Sequence, residues 1–220
     1  MNSFALKLLA LITMIIDHVG AIFYPQYPVL RIIGRLAFPI YAYLLAEGYA
    51  HTKNLKSYGL RLLAFALISE IPFDYAFFGK LELTHQNIFF TLFLGLLAIW
   101  FIDTQNPKNM AVAFIGVILA IMASEYLHTD YGTLGILYII SFHMLKNTQG
   151  MEKLLLMTFL LAVLNFLLSG GLQNYSVLAA VFISLHDGTP GPRNKVLQYA
   201  FYAAYPVHLL VLFLLKGTGV

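Results

Sequence analysis

Nine apolar runs, each closed by polar residues or by Gly and Pro, occupy nearly the whole length of this chain. They cover residues 4–23, 29–50, 57–78, 87–102, 110–127, 132–146, 152–169, 173–185 and 196–215. A bilayer core of ~30 Å needs about 20 helical residues to cross it, and it holds no water to satisfy an open backbone. The pattern therefore predicts an all-α, polytopic integral membrane helix bundle of about nine spans, within a range of roughly eight to ten. Residues 1–220 form one domain in this reading. The eighth run is short, which leaves it tilted, re-entrant or longer than drawn. Pro39, Pro72 and Pro206 lie inside apolar runs, where each frees a carbonyl and kinks its helix.

Composition fits such a surface: 60% of residues are hydrophobic and 10% charged, against about 25% charged in soluble domains. The first run, Phe4 to Phe23, holds Asp17 and His18 and is followed by Tyr24-Pro25. It is read as a retained helix, since no small-residue cleavage site follows.

Loop charge sets the orientation. With the N-terminus cytoplasmic, the inner side collects Lys7, Lys53, Lys56, Arg61, Lys108, Lys146, Lys153, Arg193 and Lys195, and the outer side only Lys80 and Lys216, with Arg31 and Arg35 on the second run near that face. The net charge of +3 is thus a matter of topology, and no nucleic-acid partner is expected. The absence of cysteine excludes disulfides and thiolate chemistry. The seven histidines show no metal-ligand spacing, so no metal is expected.

Ionisable groups near the middle of a membrane cost at least ~2.5–3.5 kcal/mol each, so every one needs a reason. Asp17, His18, Arg31, Arg35, Glu70, Asp74, His85, Asn87, Glu125, His128 and Asp130 fall toward the outer face. Lys7, Glu47, Lys53, Lys56 and Arg61 fall toward the inner face. Lys7 and His18 are 11 residues apart, which places them on one helix face about 16 Å apart along the axis. Separately, Lys7 reads as a snorkelling anchor and His18 as an interfacial histidine; together on one face they point to a function. Asp17 lies about 100° around the helix from His18 and reaches it only through a favourable rotamer.

Arg31 and Arg35, four residues apart with Gly34 beside them, share a face. They bind phosphate or carboxylate in a fork, or form an ion pair with Glu70 or Asp74 at matching depth. On the last helix Tyr205 and His208 share a face around Pro206, as a core pair or as part of a site. The turn-rich stretch His186 to Lys195 reads as a link between helices or as a grip for a phosphorylated ligand.

Several stretches together resemble the TraX family, whose best-known member is the F-pilin acetylase. They are Leu6-Lys7-Leu8-Leu9 through Met14-Ile15-Ile16-Asp17-His18-Val19-Gly20; Ile33-Gly34-Arg35-Leu36-Ala37-Phe38-Pro39-Ile40 with Glu47-Gly48; and Arg61-Leu62 with Ser69-Glu70-Ile71-Pro72-Phe73-Asp74. Asn87-Ile88-Phe89-Phe90, Asp130-Tyr131-Gly132, and Tyr202 with Tyr205-Pro206-Val207-His208-Leu209 continue it in order across nearly the whole chain. The Lys7-x10-His18 spacing is also similar to the Arg/Lys-x10-His signature of the broader transmembrane acyltransferases.

The resemblance implies a multi-pass acetyltransferase of the bacterial cytoplasmic membrane, with acetyl-CoA as cosubstrate. The acceptor would be a protein N-terminus, a sugar, a lipid or a small amine, and membrane lipid would surround the chain. His18 would be the general base or, in a ping-pong route through acetyl-histidine, the acyl carrier, with Asp17 and Arg35 as catalytic companions and Asn87 as an alternative oxyanion donor. Lys7, Arg61 and Arg31 would contact the coenzyme. Glu70, Asp74, Asn87, Asp130, Tyr205 and His208 would border the acceptor. A proton-coupled transporter is the competing reading, because buried Asp, Glu, His and Arg also mark ion pathways.

Overall fold

The computed structural model describes residues 1–104, 110–192 and 194–217; Lys108 and Arg193 lie outside them. The order of elements is α1 (Ser3–Ile22), α2 (Pro28–Gly34), α3 (Ala37–His51), α4 (Leu55–Phe78), α5 (Ile88–Thr104), α6 (Met110–Tyr126), α7 (Gly132–Met144), α8 (Gly150–Leu168), a 3-10 segment (Gly171–Leu178), α9 (Ala179–Ser184) and α10 (Lys195–Gly217). Among the described residues there is no β-sheet, only one bridge between Gln86 and Thr129.

Among the described residues, four stretches are long and apolar enough to cross a membrane: Ser3–Ile22, Pro28–His51, Gly150–Leu168 and Lys195–Gly217. Ile88–Asp103, Met110–Tyr126 and Gly132–Met144 are shorter apolar helices. Large apolar side chains point outward, among them Phe114, Leu119 and Met122 of α6 and Leu155, Phe159 and Phe166 of α8. Such a surface suits lipid and not water.

Local chemistry starts and stops the helices. Asn2, Asn54 and Asn194 each accept from a backbone N–H in the first turn of α1, α4 and α10, satisfying a donor that helix geometry leaves open. Gly79, at φ 70°, ends α4. The run 29–50 is not one helix but two. Pro39 has no N–H to give Arg35's carbonyl, and the backbone breaks at Arg35-Leu36 between α2 and α3. Pro72 and Pro206, in contrast, sit inside the continuous helices α4 and α10. The short eighth run opens as 3-10 before becoming α9; the 3-10 rise of ~2.0 Å per residue lengthens its reach.

Helix α3 is the centre of the bundle. Phe38, Ile40, Ala42, Tyr43, Leu44, Leu45 and Ala46 are buried on successive faces, and α3 packs against α1, α5, α7 and α9. Helix α1 also packs on α2 and α10, and α10 packs on α4.

The connections gather at two ends. At the near end Ser3 Oγ and the Tyr43 hydroxyl meet the two ring nitrogens of His186, each at 3.0 Å, and Lys153 Nζ donates to the Tyr43 hydroxyl at 2.9 Å. Burial holds the His186 imidazole below its ordinary 6.5, consistent with a neutral ring that accepts from Tyr43 and donates to Ser3. At the far end Gln86 accepts from the Asp130 N–H at 2.9 Å and donates to the His128 carbonyl at 3.2 Å.

Candidate functional site

A cavity of about 360 Å³ runs between α1, α3, α4 and α10. Its near-end walls include Lys7, His51, Arg61 and Gln198; its far-end walls include Asp17, His18, Asp130, Tyr131 and Tyr205. A second hollow of about 390 Å³, bordered by Ser3, Glu47, Gly188 and Lys195, shares the walls Lys7, Gly48, His51 and Gln198 with it. The near-end hollow therefore leads toward the inner cavity. The spacing argument for Lys7 and His18 holds to this extent: both side chains line one cavity.

The far end is built on an ion cluster. Asp17 is clasped by two guanidiniums: Arg31 Nη1 lies 2.6 Å from Oδ2, and Arg35 Nη2 lies 2.6 Å from Oδ1 and 2.8 Å from Oδ2. Arg31 also donates to the Asp17 carbonyl at 3.0 Å. Gly34 makes this approach possible, because a Cβ there would sit 2.0 Å from Asp17 Oδ1. Arg35 spends its other donors on the Arg31 carbonyl and on Gln173 Oε1 of the 3-10 segment, both at 3.3 Å.

His18 meets a different partner. Its Nδ1 lies 2.7 Å from Nε2 of His208, and His208 Nδ1 lies 2.8 Å from the Ala204 carbonyl. Phe77 and Tyr205 set their edges against the His18 ring. Nearby, Tyr131 has φ 66°, a backbone that costs a bulky residue about 1–2 kcal/mol. Its ring stacks on Phe38 at 4.0 Å, which offsets that cost and turns the residue into a cavity wall. Burial raises the Asp130 carboxyl above its ordinary value, opposed by the neighbouring His85 and Arg35.

Arg61, at the near end, lies over the Tyr58 ring at 5.6 Å and beside Tyr202. Its Nε is buried and has no hydrogen-bond partner.

These positions correct several expectations. Arg31 and Arg35 pair with Asp17, not with Glu70 or Asp74, because α2 folds back on α1. Neither arginine is a cavity wall, and Arg31 stands at the far end, away from Lys7 and Arg61. Asp17 serves the arginines and does not orient His18. Asn87 is no oxyanion donor: its amide nitrogen is spent on Glu70 and on the Ala66 carbonyl, and its oxygen accepts from the Phe89 N–H at 3.1 Å. Glu70 thus holds Asn87, while Asp74 accepts from the Glu82 N–H at 3.0 Å; both pin the connection 79–87. Tyr41, Tyr58, Gln198 and Phe201 are further cavity walls outside the sequence motifs, and Tyr131, within one of them, is a wall too. Gln198, Phe201, Tyr202 and Tyr205 carry a readable signal, since their spacing of 3, 1 and 3 marks one helix face.

The family model described as TraX protein matches residues 3–216. The chain belongs to the TraX family. Among similar proteins, the probable fimbrial assembly protein FimC of Dichelobacter nodosus is 27% identical across 96% of this chain and 94% of its own length. Protein TraX of Escherichia coli is 25% identical across 94% of this chain and 84% of its own. An uncharacterized protein of Rickettsia prowazekii is 31% identical over 59% of this chain and 50% of its own. No solved structure gives a significant match. With its apolar helices, this member of the family is a membrane protein. The matched span contains the Asp17 clasp, the histidine pair and both ends of the cavity.

Proposed function

We propose that this TraX-family protein is a multi-pass acetyltransferase of the bacterial cytoplasmic membrane. It takes acetyl-CoA from the inner side and passes the acetyl group to an amine or hydroxyl at the outer side. The observation that carries this reading is one cavity walled by Lys7 and Arg61 at one end and by His18 at the other. Lys53, Lys56, Lys146, Lys153 and Lys195 flank the near-end helix termini, which supports an inward-facing near end and a bundle of nine crossings.

The chemistry suits the two ends. Coenzyme A is rich in phosphate, and the unpaired Nε of Arg61 with the ammonium of Lys7 offers donors for it. The pantetheine arm extends for about 15–20 Å, close to the ~16 Å rise of α1 between Lys7 and His18. A thioester carbonyl held near His18 is attacked by the neutral acceptor. The N–C or O–C bond forms as His18 takes the acceptor's proton. The C–S bond then breaks, and the CoA thiolate leaves with that proton, so an amide or ester and free thiol result and the base is restored. The positive charge of the Arg31–Arg35–Asp17 cluster favours the passing oxyanion from behind the cavity wall. The fimbrial assembly role named for the Dichelobacter relative favours a protein acceptor, such as a fimbrial subunit, over a sugar.

Thiol release from acetyl-CoA by the detergent-purified protein tests the proposal, with a peptide bearing a free N-terminus supplied as acceptor. The chain has no cysteine, so a thiol reagent counts only liberated CoA. Release that needs the protein supports the reading. No release together with no binding of acetyl-CoA overturns it and favours transport. Lys7→Glu is expected to raise the KM for acetyl-CoA about tenfold or more while kcat stays near wild type. Steady-state kinetics checks this, and an unchanged KM removes Lys7 from the coenzyme site.

A further inference from the structure

We infer that His208 is a positioning residue for acyl transfer: it fixes the tautomer of His18 so that a bare Nε2 faces the cavity. The inference rests on the acetyltransferase reading given above. The Ala204 carbonyl can only accept, so His208 Nδ1, 2.8 Å away, carries the hydrogen. In a neutral imidazole the other nitrogen, Nε2, is then a lone pair. That lone pair lies 2.7 Å from His18 Nδ1, so His18 Nδ1 must be the donor. The remaining nitrogen of His18, Nε2, is left without a hydrogen and able to take a proton.

Neutral rings fit their surroundings. No carboxylate is within hydrogen-bond distance of either ring among the described residues, and Asp17, next in sequence to His18, is committed to the two arginines. The ring planes differ by 15°, which suits an in-plane N–H···N bond. Phe77, Tyr205 and the core contacts of α10 prevent the rings from turning away.

The opposite tautomer would put a hydrogen on the nitrogen that has to accept one. His208 also serves the transition state. As His18 gains a proton at Nε2, its Nδ1–H becomes more acidic and its bond to His208 strengthens, which stabilises the imidazolium. This is the role of the third member of a nucleophile–base–orienter arrangement, filled here by a second imidazole whose own tautomer is set by a backbone carbonyl.

Side-chain geometry supplies a test that separates positioning from packing. A glutamine at 208 can place its amide oxygen near the position of Nε2 and accept from His18, whereas an asparagine places its amide nearer Nδ1. We expect His208→Gln to keep kcat for CoA release within about tenfold of wild type. His208→Asn and His208→Ala should each lose about 10²-fold or more, with the KM for acetyl-CoA unchanged, since His208 is remote from Lys7 and Arg61. Equal losses in all three variants, or a wild-type kcat in His208→Ala, would overturn the inference.

A second readout is independent of turnover. In protein labelled with 15N-histidine, nitrogen NMR should show His18 protonated at Nδ1 in the wild type and as a mixture of tautomers in His208→Ala. A wild-type His18 protonated at Nε2 overturns the inference even if the enzyme is active. If the wild type neither releases CoA nor binds acetyl-CoA but His18 shows the expected tautomer, the acetyltransferase reading fails and the histidine arrangement stands.

Discussion

Replacing His18 with alanine is expected to slow CoA release by about 10²- to 10⁴-fold, the usual contribution of a positioned general acid–base group. The loss should fall on kcat. Lys7 and Arg61, the groups proposed to hold the coenzyme, are at the other end of the cavity and touch neither His18 nor His208. The fold should persist, because His18 forms no ion pair and the Asp17 clasp does not involve it. Turnover at saturating acetyl-CoA, measured beside direct binding of acetyl-CoA, checks both halves of the expectation. Lost turnover with retained binding is the expected result. Near-normal turnover would remove His18 from the chemistry and point instead to Asp130 and Tyr205, polar walls at the same end of the cavity.

Asp17→Ala is expected to damage the fold itself. Asp17 is 7% exposed and is held by both Arg31 and Arg35. Removing the carboxylate leaves two guanidiniums facing each other across the space it filled, with no counter-charge in contact. Breaking a buried ion pair from one side costs about 3–5 kcal/mol, more than the intact pair contributes relative to an apolar replacement. For a chain of this size the thermal midpoint in detergent should fall by about 10 °C. Asp17→Asn keeps the side-chain shape and the contact with Gly34, so it should fall less far. Replacing Arg31 and Arg35 with leucine in the Asp17→Ala background should recover part of the loss, because the uncompensated charges go with them. An unchanged midpoint in Asp17→Ala would mean that solvent or lipid headgroups already neutralise the arginines.

What the sequence made readable follows the range of the forces involved. The apolar runs were legible because the cost of placing a polar backbone in lipid is paid locally, residue by residue. The shared face of Lys7 and His18 was legible because helical periodicity holds over 11 residues. The partner of Arg31 and Arg35 was not. Asp17, Glu70 and Asp74 lie at similar depths, and only the packing of α2 on α1, made possible by Gly34, decides among them. Nor could His18 have been matched with His208, which stands 190 residues away on α10.

Asn87 is ambiguous in sequence for a different reason. A buried amide beside a predicted site resembles a catalytic donor, yet Asn87 followed by Ile88-Phe89-Phe90 is also the signature of a helix N-cap. The break at Arg35-Leu36 was half visible. Pro39 announced a disturbed helix, but whether the backbone kinks or separates depends on the turn four residues earlier.

The bridged connections at the far end bear on how this protein can be modified in practice. Connections between helices are normally where a chain tolerates an inserted tag or fluorophore. Here Asp74 grips the Glu82 N–H, Glu70 grips Asn87, and Gln86 is bonded on both sides to the 127–131 connection that carries Asp130 and Tyr131. A reporter placed in either connection would pull on the cavity wall. The stretch 145–149 between α7 and α8 has among its backbone bonds only local turns, such as Thr148 N–H to the Leu145 carbonyl at 3.0 Å. It is the better place to attach a label without disturbing the chemistry.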